Sequence, residues 1–171
     1  KEYVRAVNAG ASICHLHCPY TIDERIQPDG TRLSDLYIPG WANEPELFVR
    51  SGNIPELELW EAHREAKRKL FDYVHQTTGI AMDLNVLTLG FARRATAYKR
   101  PHLLFSDIDR LLKIDEKGKL QIIYAGKAHP HDDPGKKLIQ GIYRYREQLR
   151  GKMEIAFLPG YNMDIALKLV S

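Results

Sequence analysis

In the second half of the chain, apolar residues follow two alternating rhythms. Short dense blocks of strand length are separated by longer stretches in which apolar residues recur at helical spacing. Leu84 to Phe91 is the first block and predicts a strand. Tyr98 to Ile114 follows, with Leu103, Leu104, Ile108, Leu111 and Leu112 opposite Asp107, Asp109 and Arg110, and predicts a helix. Pro101 fits the first turn of that helix, where a missing N–H leaves nothing unpaired. Asp115 to Lys119 reads as a turn. Leu120 to Gly126 predicts a second strand, residues 127–135 a polar loop, and Lys136 to Arg150 a second helix buried through Leu138, Ile139, Ile142, Tyr143 and Leu149. Gly151 is placed to end it as a left-handed residue just past the last turn. Glu154 to Pro159 is a third, shorter strand, after which Asn162 or Asp164 caps a helix carrying Ile165, Ala166, Leu167 and Leu169. Three successive strand–loop–helix units imply an α/β fold: a Rossmann-like parallel sheet with right-handed crossovers, its strand-end loops converging on one edge.

The first half reads differently. Residues 41–53 are rich in turn formers, and Glu56 to His75 predicts a helix carrying Leu59, Trp60, His63, Leu70 and Val74, with Trp60 and His63 read as packing residues. At 171 residues, with 44% apolar and 27% charged side chains, the chain is long enough for one domain, or one domain plus an appendage. No apolar run approaches the roughly 20 residues of a membrane span, and no signal-peptide pattern opens the chain. The start at Lys1 and the stop inside a helical pattern point to a fragment of something larger. Two cysteines, Cys14 and Cys18, are too few for a disulfide framework, which places the chain in a reducing, cytoplasmic setting.

Charge changes the picture. Residues 1–90 hold nine Lys/Arg against thirteen Asp/Glu, and residues 91–171 hold sixteen against nine, so the net charge of +3 hides a basic second half. Four of these cations, Arg93, Arg94, Lys99 and Arg100, fall where the first strand stops and a helix is expected to start. Open α/β sheets bind ligands at that point, and helix N-termini there favour phosphate. Arginine adds a planar fork for phosphate oxygens and lysine a compact point charge. A solvated surface loop is the plain alternative. Nucleic acid is a weaker partner for such a patch, since no RNA-binding aromatic signature accompanies it.

Several motifs then resemble one family together: Glu61-Ala62-His63-Arg64; Gly90-Phe91-Ala92-Arg93-Arg94 with Tyr98-Lys99-Arg100; Ala125-Gly126-Lys127-Ala128-His129-Pro130; and Phe157-Leu158-Pro159-Gly160-Tyr161. They resemble the α-glucan (glycogen, starch or maltodextrin) phosphorylases, most nearly the shorter bacterial and archaeal type, over residues 36–171. The resemblance implies part of the C-terminal Rossmann domain of a GT-B glycosyltransferase fold. It divides the chain into a strand–turn segment (1–35), a helical lead-in (36–82) and a partial phosphate-binding domain (83–171).

The implied reaction is reversible phosphorolysis of a terminal α-1,4-glucan bond, with inorganic phosphate, glucose 1-phosphate and α-1,4-glucan as partners and a homo-oligomer as the parent enzyme. Pyridoxal 5′-phosphate is the implied cofactor and acts through its phosphate group. By resemblance, Arg94 contacts the substrate phosphate, Lys99 lies between that phosphate and the cofactor phosphate, and Arg93 lies near the cofactor phosphate. Gly126 and Lys127 belong to the neighbouring strand-end loop of the phosphate site.

Departures accompany the resemblance. The family's cofactor lysine, in a Gly-Thr-x-x-Met-Lys motif, falls beyond Ser171, and the first Rossmann domain is absent, so the isolated chain is expected to be inactive. Asn162 stands where long family members carry an arginine. Other readings are a GT-B nucleotide-sugar glycosyltransferase and a non-catalytic module that binds phosphate or a sugar phosphate.

Residues 1–35 follow another pattern. Ala9 to Cys18, followed by Pro19-Tyr20-Thr21-Ile22-Asp23-Glu24, resembles the β-keto acid cleavage enzymes, zinc-dependent (β/α)₈ barrels with a His-x-His pair at a strand end. Strand alternation points His15 and His17 to one side, where two imidazoles can share a zinc ion. Cys14 and Cys18 fall on the other side. A buried strand with incidental histidines, or the remnant of a metal-dependent lyase, are the readings for this segment.

Overall fold

A computed structural model describes residues 33–170 of the chain. The described residues divide into two compact units, one comprising those up to Lys69 together with Val170, the other Leu70–Leu169.

In the first unit, α1 (Leu33–Tyr37) and a 3-10 segment (Pro45–Asn53) precede α2 (Glu56–Thr78), which runs on into the second unit. Ile38, Ile54 and Ala62 form a small core with Trp41, Leu47, Phe48 and Leu59 around it. Trp41 meets Phe48 edge-on at 5.3 Å, and its indole N–H donates to Asp35 at 2.9 Å. The buried stripe of α2 is Ala62, Ala66, Leu70 and Val74, at strict four-residue spacing. Trp60, read from sequence as a packing residue, is 57% exposed. It lies two positions, about 200°, from Ala62 on a helix of 3.6 residues per turn, and therefore faces away from that stripe.

The second unit is a three-layer sandwich around a parallel sheet of order β1-β2-β3, with β1 (Leu87–Ala92), β2 (Leu120–Ala125) and β3 (Glu154–Leu158). β1 pairs with β2 from Leu87↔Leu120 to Ala92↔Ala125, and β2 with β3 from Gln121↔Glu154 to Ala125↔Leu158. Alternation sends Ile122, Tyr124, Ile155 and Phe157 to one face, where they pack against α3 (Ile108–Lys117) through Leu111 and α4 (Asp133–Gln148) through Ile142, with Leu149 just past the end of α4 in the same cluster. Ile123, Ala125, Ala156 and Leu158 face the other way. There they meet Leu70, Phe71 and Val74 of α2 and Ile165 of α5 (Met163–Val170). All six residues of central β2 are buried, as a parallel strand covered on both faces requires. The α/β, Rossmann-like class read from the sequence is the class observed.

Element boundaries moved for identifiable reasons. β1 begins at Leu87 rather than Leu84 because Asp83 closes a turn, its carboxylate accepting from Asn85 N at 2.8 Å. Buried Gln121 fastens that turn, accepting from Asp83 N at 3.0 Å and donating to Asp83 O and Thr88 Oγ1, both at 2.8 Å. The helix expected over Tyr98–Ile114 is broken into short 3-10 turns (Ala97–Lys99 and Leu103–Phe105) before α3. Arg100 takes the left-handed conformation, φ 49 and ψ 54, and Pro101 supplies no N–H, so no helix propagates across them. Tyr124 donates its hydroxyl to Pro101 O at 2.8 Å and holds this break against the sheet, and burial pushes its phenol pKa upward.

The expected turn at Asp115 is instead the last turn of α3. Asp115 is buried, and accepts from Lys119 Nζ at 2.6 Å and from Leu120 N at 2.8 Å. Burial alone would raise its carboxyl pKa; the Lys119 ammonium and the Leu120 N–H outweigh that and lower it. Asn162, not Asp164, caps α5, accepting from Ile165 N at 2.9 Å.

Candidate functional site

The carboxyl ends of β1 and β2 lie side by side, and their pairing continues past both strands. Arg93 N donates to Ala125 O and Ala95 N to Lys127 O, each at 3.1 Å. The stretch Arg93-Arg94-Ala95 is therefore laid alongside Ala125-Gly126-Lys127. Two glycines permit the approach. A Cβ on Gly126 would stand 2.7 Å from Arg93 O, and one on Gly135 would stand 2.5 Å from Ala95 O. Ala95 is buried at this junction, while Arg93, Arg94 and Lys127 are exposed. Backbone packing thus fixes where these side chains start and leaves their charged ends in solvent.

Lys99 lies one short turn further on, its ammonium 4.5 Å from the centre of the Tyr98 ring. Lys99 and Arg100 border a groove of about 520 Å³, lined also by Gly90, Pro101, Asp107 and Arg110. Arg93, Arg94, Gly126 and Lys127 do not line it. The structure therefore brings Arg93, Arg94, Gly126 and Lys127 together at two strand ends and sets Lys99 with Arg100 on a neighbouring groove.

The helix N-termini expected to assist an anion are already occupied by carboxylates. Asp107 caps α3, accepting from Arg110 N at 2.9 Å, and Asp132 caps α4, accepting from Gly135 N at 2.9 Å. Asp109 and Asp133 add negative charge in the first turns. The groups at this edge left to meet an anion are therefore guanidinium and ammonium groups, not helix N-termini.

Sequence reading passed over one residue here: Thr96, between the arginines and Lys99. Its Oγ1 is buried and is the buried side-chain atom left without a hydrogen-bond partner among the described residues. Nothing in a lone threonine signals this; the backbone fold around it does. His15 and His17, the expected zinc pair, lie outside the described residues. Among the described residues no three His, Cys, Asp or Glu side chains are placed to hold a metal ion. No described helix is long and apolar enough to cross a membrane.

No protein-family model matches the chain. Among curated proteins, the glycogen phosphorylase of Mycobacterium tuberculosis (strain ATCC 25618 / H37Rv) is 51% identical over 175 aligned residues, covering 81% of this chain and 20% of the relative. The glycogen phosphorylase of Aquifex aeolicus (strain VF5) is 39% identical over 137 residues, covering 69% of this chain and 20% of the relative. The maltodextrin phosphorylase of Thermococcus litoralis is 36% identical over 158 residues, covering 82% of this chain and 19% of the relative. Motif resemblance, parallel α/β sheet and sequence identity agree: the chain belongs to the α-glucan phosphorylases, as a segment spanning about 20% of the length of the curated relatives it matches.

Proposed function

We propose that this chain carries the phosphate-handling edge of an enzyme that reversibly phosphorolyses terminal α-1,4-glucosidic bonds, releasing glucose 1-phosphate. One observation carries the reading: the paired backbones of 93–95 and 125–127, which gather Arg93, Arg94 and Lys127 at adjacent strand ends. Residues 83–171 form the phosphate-binding part and 36–82 lead into it, in a cytoplasmic, homo-oligomeric enzyme.

The physical demand is charge neutralisation. Two unit charges about 4 Å apart repel by about 4 kcal/mol at an effective dielectric constant near 20. Arg94 offers a planar pair of donors to a substrate phosphate. Lys99 swings from the Tyr98 ring, on a four-carbon stem, to stand between that phosphate and a second one. Arg93 holds the second phosphate, Lys127 adds charge from the β2 side, and Gly126 keeps the backbone close enough for both loops to serve one ligand. This donor-only set fits the phosphate end of pyridoxal 5′-phosphate. When bound, that cofactor contributes a phosphate group beside the substrate's own.

Isothermal calorimetry with inorganic phosphate, glucose 1-phosphate and a nucleotide sugar tests the reading. Phosphate and glucose 1-phosphate should bind, and Arg94→Ala and Lys99→Ala should each weaken them by about tenfold or more, the worth of one hydrogen bond to a charged group. Unchanged affinity in both variants, or binding of the nucleotide sugar in preference to glucose 1-phosphate, would overturn it.

A further inference from the structure

Thr96 falls between Arg94 and Lys99 in the sequence of the basic loop, with its hydroxyl oxygen buried and without a partner among the described residues. A threonine preceding a helical turn ordinarily accepts from an N–H two or three residues ahead. Thr96 precedes the turn Ala97–Lys99 with φ −131 and ψ 148 and makes no such bond; Lys99 N is held by the Thr96 carbonyl instead, at 3.1 Å. Orphaned buried hydroxyls are destabilising and few in native proteins, so this one calls for a partner that the described residues do not supply. The residue as a whole is partly exposed although Oγ1 is not. A step of about 120° in χ1 carries the hydroxyl to another position on Cβ.

We propose that Thr96 is a phosphate-positioning residue. Its hydroxyl turns outward and donates to an oxygen of the same phosphate that Arg94 and Lys99 bind. The inference rests on the phosphate reading above. It follows from the donor inventory: guanidinium and ammonium groups only donate, and a hydroxyl between them along the chain finds its acceptor in a ligand that accepts from all three. Phosphate is such a ligand. A neutral sugar hydroxyl would leave the two cations unneutralised.

The test compares the full 171-residue chain with Thr96→Val, which keeps the shape and removes the hydroxyl, and Thr96→Ser, which keeps the hydroxyl. Inorganic phosphate binding is read by calorimetry and unliganded stability by thermal denaturation. The valine variant should melt no lower than the parent without phosphate, since it loses an unsatisfied group, yet bind phosphate about tenfold more weakly. The serine variant should bind as the parent does. Should the valine variant lose its fold, Thr96→Ala repeats the comparison. Parent-like phosphate affinity in the hydroxyl-free variant, alongside lost binding in Arg94→Ala, would overturn the role of Thr96 and leave the phosphate reading standing. Absence of phosphate binding by the parent would overturn both.

Discussion

Gly126 has no room for a side chain. A Cβ there would press on the Arg93 carbonyl, a backbone atom that cannot swing aside. Gly126→Ala should therefore cost about 1–3 kcal/mol of stability, read as a lower urea midpoint, and weaken phosphate binding by forcing the two basic loops apart.

Asp115 does a different job: it ties the end of α3 to the start of β2. Asp115→Ala leaves Leu120 N without its acceptor, at a cost of about 1–3 kcal/mol. The pH dependence follows from the lowered carboxyl pKa. A carboxylate whose folded pKa lies below its unfolded value, near 4, stabilises fully above that value and loses its contribution as pH falls through the folded one. The stability gap between parent and Asp115→Ala should be constant near neutrality and shrink below about pH 4, as denaturation at successive pH values will show.

At the scale of elements, the sequence told more about sheet than about loops. Dense blocks such as Leu120 to Ala125 announce a strand because burial on both faces demands apolar residues at every position. The amphipathic stretch from Tyr98 to Ile114 misleads, because the stripe Leu103, Leu104, Ile108, Leu111 is real while the backbone beneath it is broken at Arg100-Pro101. Side chains reach the same core from 3-10 turns as from a helix, so periodicity alone does not separate the two. The cations of the candidate site were legible from residue type and place. The two features that shape it were not. Gly126 and Gly135 matter through contacts with Arg93 O and Ala95 O, distant in sequence, and Asp107 and Asp132 decide the fate of the helix N-termini through cap bonds. Removing such a cap tests its place: Asp107→Ala should lower stability by about 1 kcal/mol in urea denaturation, and because it takes a carboxylate from the groove that Lys99 borders, it should not weaken phosphate binding.

At the scale of the whole molecule, residues 1–90 are acidic and residues 91–171 basic, and the parallel sheet turns the loops after its strands to one edge; the proposed phosphate site rests on both. Identity to glycogen and maltodextrin phosphorylases gives that edge a chemical context. The central claim, that guanidinium and ammonium groups at the ends of β1 and β2 hold phosphate oxygens, is most directly tested by a nuclear magnetic resonance titration of the isotopically labelled chain with inorganic phosphate, at constant ionic strength against chloride. The account predicts saturable shifts in the side-chain resonances of Arg93, Arg94, Lys99 and Lys127 and in the amide of Gly126, with the Asp107 and Asp132 caps unmoved. Shifts confined to the helix N-termini, or no saturable shift at any of these five residues, would contradict it.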